Sequence, residues 1–554
     1  MVVPELRPWR AARPHVTRAA GAVRPRLARA AQAVRPRLAR AATAAKPRVV
    51  RLARAVSPQA ARIARPKTWQ YTAGAATAGL ALAAGVVTAA GPWDSTGQRT
   101  AERDRAVAQE RTGGADHGRN TDTSDSSGSS DSSDSSGTTA EGPRPAPSAA
   151  SVLTGLGGGT STVKSAPNGK ALADLMGPLL DAPELGSQLS AAVVDVASGK
   201  RLYGEGGAEA LTPASTTKIA TAAAALAALG PDHRLTTRAA LEPDTKELVL
   251  VGGGDPTLTA RKEADGWASL RDLADRTAEA LKKRDVRQVT LSYDKTLYAG
   301  PERHPIGKNP NLAPVSALMV DEGRTDDSTS GTAARVPDPA KDAAAKFADL
   351  LADRGIKTTA PGPSKATNRA EPLAEVSSPP LSALVERMLT NSDNDIAEAL
   401  ARQTAVASGA RADFDGAGKA IGDRLEKLGL PVAGSDFKDG SGLNRADRLT
   451  ADLLTALLAK AADPAHPQLR PILTGLPVAG FTGTLTTRYT DGAAGIVRAK
   501  TGTLTGVNAL AGTAVDQDGH LFAFAFLATG TTNRDAAQSA LDRTATALAS
   551  CGCG

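Results

Sequence analysis

From Tyr71 to Pro92 the chain carries no charged residue over 22 positions, and this stretch separates two electrostatically different parts. Residues 1–67 hold 17 Lys and Arg and one acid, Glu5, a net of +16. Residues 68–554 hold 49 basic and 57 acidic residues, a net of −8, so the formal +8 of the whole chain describes neither part. As a helix, 22 residues span roughly 33 Å, enough for the hydrocarbon core of a bilayer. Trp69, Tyr71 and Trp93 stand at its ends, where amphipathic rings prefer to lie. Residues 68–93 are therefore expected to be a single-pass transmembrane signal-anchor helix. Basic flanks stay cytoplasmic, so the arm is expected inside and the bulk of the chain extracytoplasmic at the cell membrane. The small residues Thr88-Ala89-Ala90 leave cleavage and secretion open as an alternative.

The arm itself is repetitive. Pro14, Pro25, Pro36, Pro47 and Pro58 recur every 11 residues. Each copy reads as a basic arm segment or a short helix opened by its proline. Its charge suits anionic lipid headgroups. Nucleic acid is not expected as a partner: only Trp9 offers a base-stacking ring, and the topology places the arm alone in the cytoplasm. Residues 94–164 form a linker, with a Ser/Asp/Gly run at 121–137 that has nothing apolar to bury and is expected to be disordered. The remaining chain, from 165 onward, must carry the folded part. Its two cysteines, Cys551 and Cys553, cannot make a disulfide framework, and no Cys/His spacing fits a zinc site.

Three short constellations in that part carry chemistry. Ser215-Thr-Thr-Lys218 opens an Ala-rich segment closed by Gly230-Pro231, so it reads as the start of a helix. The i, i+3 spacing puts the hydroxyl and the amine on one face. A lysine that loses solvent can give up its proton and serve as a base. Ser161-Thr-Val-Lys164 repeats the spacing inside a Gly-rich linker and reads as coincidence. Ser392-Asp393-Asn394 interrupts an apolar-periodic helix spanning 381–400, and Lys500-Thr501-Gly502-Thr503 follows Ile496-Val-Arg-Ala, which reads as a strand. Hairpins are expected at 188–204, turning at Ser198-Gly199, and at 507–528, turning at Asp518-Gly519. A closing helix is expected from Asn533 to Ala549.

In this order, Ser-x-x-Lys, Ser-Asp-Asn and Lys-Thr-Gly resemble the signature of penicillin-binding proteins and serine β-lactamases. Lys218 and Ser392 are 174 residues apart, which leaves room for an insertion between the first two motifs. Within it, Leu248-Val-Leu-Val-Gly-Gly-Gly-Asp-Pro-Thr-Leu258 and Ala313-Pro-Val-Ser-Ala-Leu-Met-Val320 resemble the D-alanyl-D-alanine carboxypeptidase/endopeptidase family with inserted domains, peptidase family S13. Lys438-Asp-Gly-Ser-Gly-Leu-Asn-Arg445, beyond the second motif, resembles it too.

The resemblance implies an α/β (α+β) fold, a β-lactamase-like antiparallel sheet with helices on it, formed by 165–240 and 376–554, with an inserted β-rich part at 241–375. It implies a serine-type, penicillin-sensitive hydrolase acting on peptidoglycan stem peptides, with β-lactams as covalent inhibitors and no metal or cofactor. A serine β-lactamase, or an inactive cell-wall-binding relative, would be the alternatives. Ser215 would be the nucleophile. Lys218 would be its base, depressed by burial and by the like charge of Lys500. Ser392 with Lys500 would pass the proton to the leaving amine, and Asn394 would hold the peptide amide. Backbone N–H groups of Ser215 and Thr503 would form the oxyanion hole. Thr501 and Thr503 would bind the leaving carboxylate alongside Gly502, with Arg445, Asp294 and Tyr298 as further substrate contacts.

Overall fold

The computed structural model describes residues 169–489 and 492–551. The basic arm, the charge-free segment, the linker and Cys553 lie outside the described residues. None of the described helices is long and apolar enough to cross a membrane.

A five-stranded antiparallel sheet is built from both ends of the folded part. Its strands are β1 (Gln188–Asp195), β2 (Arg201–Glu205), β9 (Arg498–Leu504), β10 (Val507–Val515) and β11 (Leu521–Thr529), in the order β2-β1-β11-β10-β9. The expected hairpins are present, and β9 is left as an edge strand. Period-2 alternation sorts β11 cleanly. Phe522, Phe524 and Phe526 face one side, with α1 (Gly169–Leu180) and α10 (Arg534–Ala549), while Ala523, Ala525 and Leu527 face the other. Each buried ring contributes roughly 1.5–3 kcal/mol through area removed from water. Asn533 accepts from the amides of Asp535 and Ala536 and so caps α10.

On the opposite face lie α2 (Thr217–Leu229), α5 (Leu381–Asn391), α6 (Asn394–Ala407), α7 (Phe414–Lys427), α8 (Ala451–Ala462) and the short α9 (Arg470–Gly475). The segment from Thr217 to Leu226 is buried throughout. Its alanines explain how: with no bulky side chain, neighbouring helices and the sheet approach it from every side.

The insertion forms a second, mixed sheet. Its strands are β3 (Thr236–Leu241), β4 (Glu247–Val251), β5 (Gln288–Asp294), β6 (Lys357–Thr358), β7 (Gly362–Pro363) and β8 (Glu371–Ser377). The order is β6-β5-β4-β3-β8 with β7 on β5; β3 pairs antiparallel with β4 and β8, and the pairs made by β5 are parallel. Where a β-rich insert was expected, two helices contribute as much to the core as the strands: α3 (Leu270–Lys282) and α4 (Pro339–Asp353). Parallel β4 and β5 require such a crossover, and α3 supplies it.

Candidate active site

The three sequence constellations meet at one cleft of about 260 Å³, lined among others by Ser215, Asn311, Arg335, Ser392, Asn394 and Thr503. Ser215 sits in a single 3-10 turn, Ala214–Thr216, that leads into α2. The residue before it, Ala214, has φ +48°, so the turn that presents Ser215 is held in the left-handed region. Two close approaches enforce this. A Cβ at Gly502 would lie 2.6 Å from the Pro213 carbonyl oxygen, and one at Gly442 would lie 1.9 Å from that of Ala214. Only glycines on β9 and on the 438–445 loop let both segments close on the serine.

Lys218, one helical turn on, is fully buried and reaches three oxygens. Its Nζ donates to Ser215 Oγ at 3.1 Å, to Asn394 Oδ1 at 2.6 Å and to the Ser441 carbonyl at 2.7 Å. Burial lowers its pKa to about 8, opposed by the charges of Asp439, Glu398, Asp393 and Asp447. Lys218 and Lys500 are like charges, and each disfavours the protonated form of the other. Burial and then the Lys218 charge hold Lys500 well below the ordinary lysine value. Lys218 has four carboxyls in its surroundings, whereas the charges that act on Lys500 are the cations Lys218 and Arg488. Lys500 Nζ donates to the Thr501 carbonyl at 2.8 Å, and among the described residues no hydrogen bond links Lys500 or Ser392 to Ser215.

The Ser392-Asp-Asn triplet is a helix junction. Ser392 closes α5 in a left-handed conformation, and Asp393 opens α6 by accepting from the Ile396 amide at 3.0 Å. This pivot turns Asn394 so that its Oδ1 meets Lys218 while its Nδ2 donates to the Asn311 carbonyl at 2.9 Å. Under the pivot, Asp393 and Glu322 form a buried carboxyl pair. Burial and the Glu322 charge raise Asp393 well above the usual carboxylate range. Burial pulls Glu322 up too, but the bond from Asp393 and the Arg387 and Arg324 guanidinium groups outweigh it and hold Glu322 low.

The loop from Lys438 to Arg445 is wrapped around Asp439, which accepts from the amides of Ser441, Gly442 and Asn444 and pairs with His304 Nε2 at 2.8 Å. His304 Nδ1 faces the Ile306 amide at 3.2 Å, which orients the ring with Nε2 toward Asp439. His304, Glu398 and Asp439 bring metal-ligand-type atoms within 4.8 Å of one another. Those atoms are engaged by loop amides and by each other, so the group acts as a hydrogen-bonded scaffold.

The remaining predicted residues separate. Thr501 Oγ1 donates to Thr484 at 3.0 Å, and Thr503 Oγ1 accepts from Gln538 of α10 at 3.2 Å; neither Thr484 nor Gln538 was anticipated. Arg445 is exposed and donates to the Thr505 carbonyl at 2.7 Å, just past the end of β9. Asp294 and Tyr298 do not line the cleft. Asp294 accepts from the amides of Thr296 and Ala366, and Tyr298 is spent on Gly254, Ala399 and Gln403, so both organise the insert's junction. The carbonyls of Asn311 and Ser441 are backbone groups with no residue-type signal; only the resemblance of the surrounding segments pointed toward them.

Comparison with known proteins points to one family. The model of the D-Ala-D-Ala carboxypeptidase 3 (S13) family matches residues 171–334 and 325–549. Carboxypeptidase DacB of Mycolicibacterium smegmatis is 37% identical over 409 residues, 70% of this chain and 86% of the relative. The D-alanyl-D-alanine carboxypeptidase of Actinomadura sp. is 30% identical over 430 residues, 62% of this chain and 78% of the relative. The crystal structure of penicillin binding protein 4 (dacB) from Haemophilus influenzae superimposes with a TM-score of 0.56 at 22% identity, covering 68% of this chain and 98% of that one, a likeness of fold.

Proposed function

The chain belongs to the D-Ala-D-Ala carboxypeptidase 3 (S13) family, and from that membership we infer a serine-type, penicillin-sensitive carboxypeptidase that removes the terminal D-Ala of peptidoglycan stem peptides through an acyl-enzyme on Ser215. The observation that carries the reading is the reach of Lys218 Nζ, 3.1 Å from Ser215 Oγ and 2.6 Å from Asn394 Oδ1. Neutral Lys218 takes the Ser215 proton as Oγ attacks the carbonyl of the penultimate D-Ala. The developing oxyanion is received by the Ser215 and Thr503 backbone N–H groups, the latter on an edge strand open to a substrate backbone. The C–N bond breaks as Ser392, with Lys500, passes the proton that Lys218 took from Ser215 to the departing amine, which returns Lys218 to its neutral form. Thr501 and Thr503 hold the carboxylate of the released residue. Water then hydrolyses the ester and Ser215 regains its proton. Cleavage of D-Ala crosslinks uses the same acyl step with a larger leaving amine, so the same site supports endopeptidase action.

The charge asymmetry about residues 71–92 supports a single-pass anchor with the catalytic part extracytoplasmic and the basic arm at the anionic inner leaflet. Protease added to intact cells should then degrade the C-terminal part and spare the arm. Degradation of neither would contradict this topology. For the activity, digestion of defined monomeric and crosslinked peptidoglycan fragments identifies the bonds cut. A long-lived penicillin adduct on Ser215 supports the peptidase, and rapid penicillin turnover would make the protein a β-lactamase.

A further inference from the structure

Thr501 and Thr503 alternate with Gly502 along β9, so their hydroxyls stand on one face while Gly502 turns to Pro213 and Ala214. The two hydroxyls are partnered in opposite senses. Thr501 donates to Thr484 at 3.0 Å, so its proton is turned to a residue that does not line the Ser215 cleft. Thr503, which does line it, accepts from Gln538 Nε2 at 3.2 Å and, among the described residues, gives its own proton to no acceptor. A hydroxyl has one proton and two lone pairs. With a lone pair taken by the Gln538 amide, the Thr503 proton is left for whatever enters the cleft, and accepting that bond polarises the O–H into a stronger donor. Gln538 itself is half-buried and stays outside the cleft. The helix that carries it is fixed, because Asn533 caps its first turn and Ala540 and Leu541 pack with the β11 phenylalanines.

Resting on the carboxypeptidase reading above, we propose that Gln538 is a positioning residue that commits Thr503 as a hydrogen-bond donor and so sets the preference for a leaving group ending in a carboxylate. It acts through the direction of one proton. A carboxylate only accepts, so an O–H held free for the cleft meets it in a charge-assisted bond, and a neutral leaving group gains less from the same donor. An acceptor in place of the Gln538 amide would draw the Thr503 proton back toward α10 and present the cleft with lone pairs, which a carboxylate avoids. Holding the donor ready before the substrate arrives is the preorganisation that a carboxylate-selective site needs.

The test uses two N-acyl-D-Ala thioesters, one with thioglycolate as the leaving group and one with its methyl ester, which differ only in the carboxylate. Wild type should be acylated faster by the acid. In Gln538→Glu, which keeps the shape and replaces the donor by an acceptor, acylation by the acid should fall roughly tenfold, with the methyl ester changed less than about twofold. Gln538→Met, with neither donor nor charge, should lose roughly threefold on the acid alone. A double-mutant cycle separates the hydroxyl from the added charge: in a Thr503→Val background, Gln538→Glu should cost less than about a further twofold. An unchanged acid preference in both variants overturns the proposal, and so does an equal fall on both thioesters. A loss that persists in the Thr503→Val background also overturns it, since the glutamate then acts by its field alone. If wild type is acylated by neither thioester, the carboxypeptidase reading fails and the proposal falls with it; acylation of wild type with an unmoved preference in the variants removes the role of Gln538 alone.

Discussion

Lys218 Nζ and Asn394 Oδ1 meet at 2.6 Å although 176 residues and the whole inserted sheet separate them in the chain. The contact joins the start of α2 to the pivot between α5 and α6. It ties the proposed base to the residue assigned to the substrate amide. Because Asn394 accepts from the lysine, it also favours the charged amine.

Replacing Asn394 by Ala therefore has two separable effects. Acylation by a D-Ala-D-Ala substrate should slow about a hundredfold, since substrate positioning is lost. The rising limb of the pH–rate profile should move to lower pH, because an acceptor of the ammonium is gone. A slower enzyme with an unmoved limb would show that Asn394 does not touch the lysine's proton balance.

In wild type the limb itself is predictable. Lys218 is lowered to about 8, so about a tenth is neutral at pH 7 and most of it is neutral by pH 9. The acylation rate should rise across that interval. Lys500 is held well below its ordinary value by burial and by the Lys218 charge. The two amines titrate as a pair, so the observed step belongs to the pair. A rate that is flat from pH 7 to 9.5 would remove Lys218 as the base.

Asp447 offers a test on stability. Burial and the neighbouring Asp439 charge raise it to about 10. A carboxyl raised in the folded state contributes stability fully present below the unfolded pKa, near 3.9, and lost as pH rises through the folded value. Asp447→Asn does not titrate and keeps the acceptor that receives the Lys438 amide. Its melting temperature should fall less than that of wild type between pH 5 and 9. Parallel profiles would contradict the assignment.

Gly442→Ala should separate folding from chemistry. Gly442 has φ +79°, and a Cβ there would lie 1.9 Å from the Ala214 carbonyl oxygen, so the turn presenting Ser215 must shift. Penicillin acylation should fall by at least about a hundredfold, since a misplaced nucleophile loses its near-attack geometry. Full acylation would mean that the loop does not set the position of Ser215.

Much of this was readable from residue order, and particular residues show why the rest was not. Ser215, Lys218, Ser392, Asn394 and Thr503 come together because each sits on an element with its own punctuation: Pro213 and Gly230 around α2, Asp393 as the cap of α6, and the turn after β9. The helices of the insert were legible but passed over. Leu270, Leu273, Ala274, Thr277, Ala278 and Leu281 follow helical spacing behind the Ser269 cap. Asp294 and Tyr298 were expected as substrate contacts only through the family resemblance, with no signal of their own in the residue pattern. Only tertiary structure shows their partners to be the insert's own backbone and Gln403. The carbonyls of Asn311 and Ser441 lie beyond sequence reasoning, since any residue carries one and loop packing alone aims it.

The most direct test is the release of free D-Ala from a soluble pentapeptide by the purified protein and by its Ser215→Ala variant. Wild type should release one D-Ala per peptide cleaved. The variant should lose activity by at least about a thousandfold while keeping its fold, because among the described residues no other hydroxyl is held against Lys218. Undiminished release by Ser215→Ala would contradict the account.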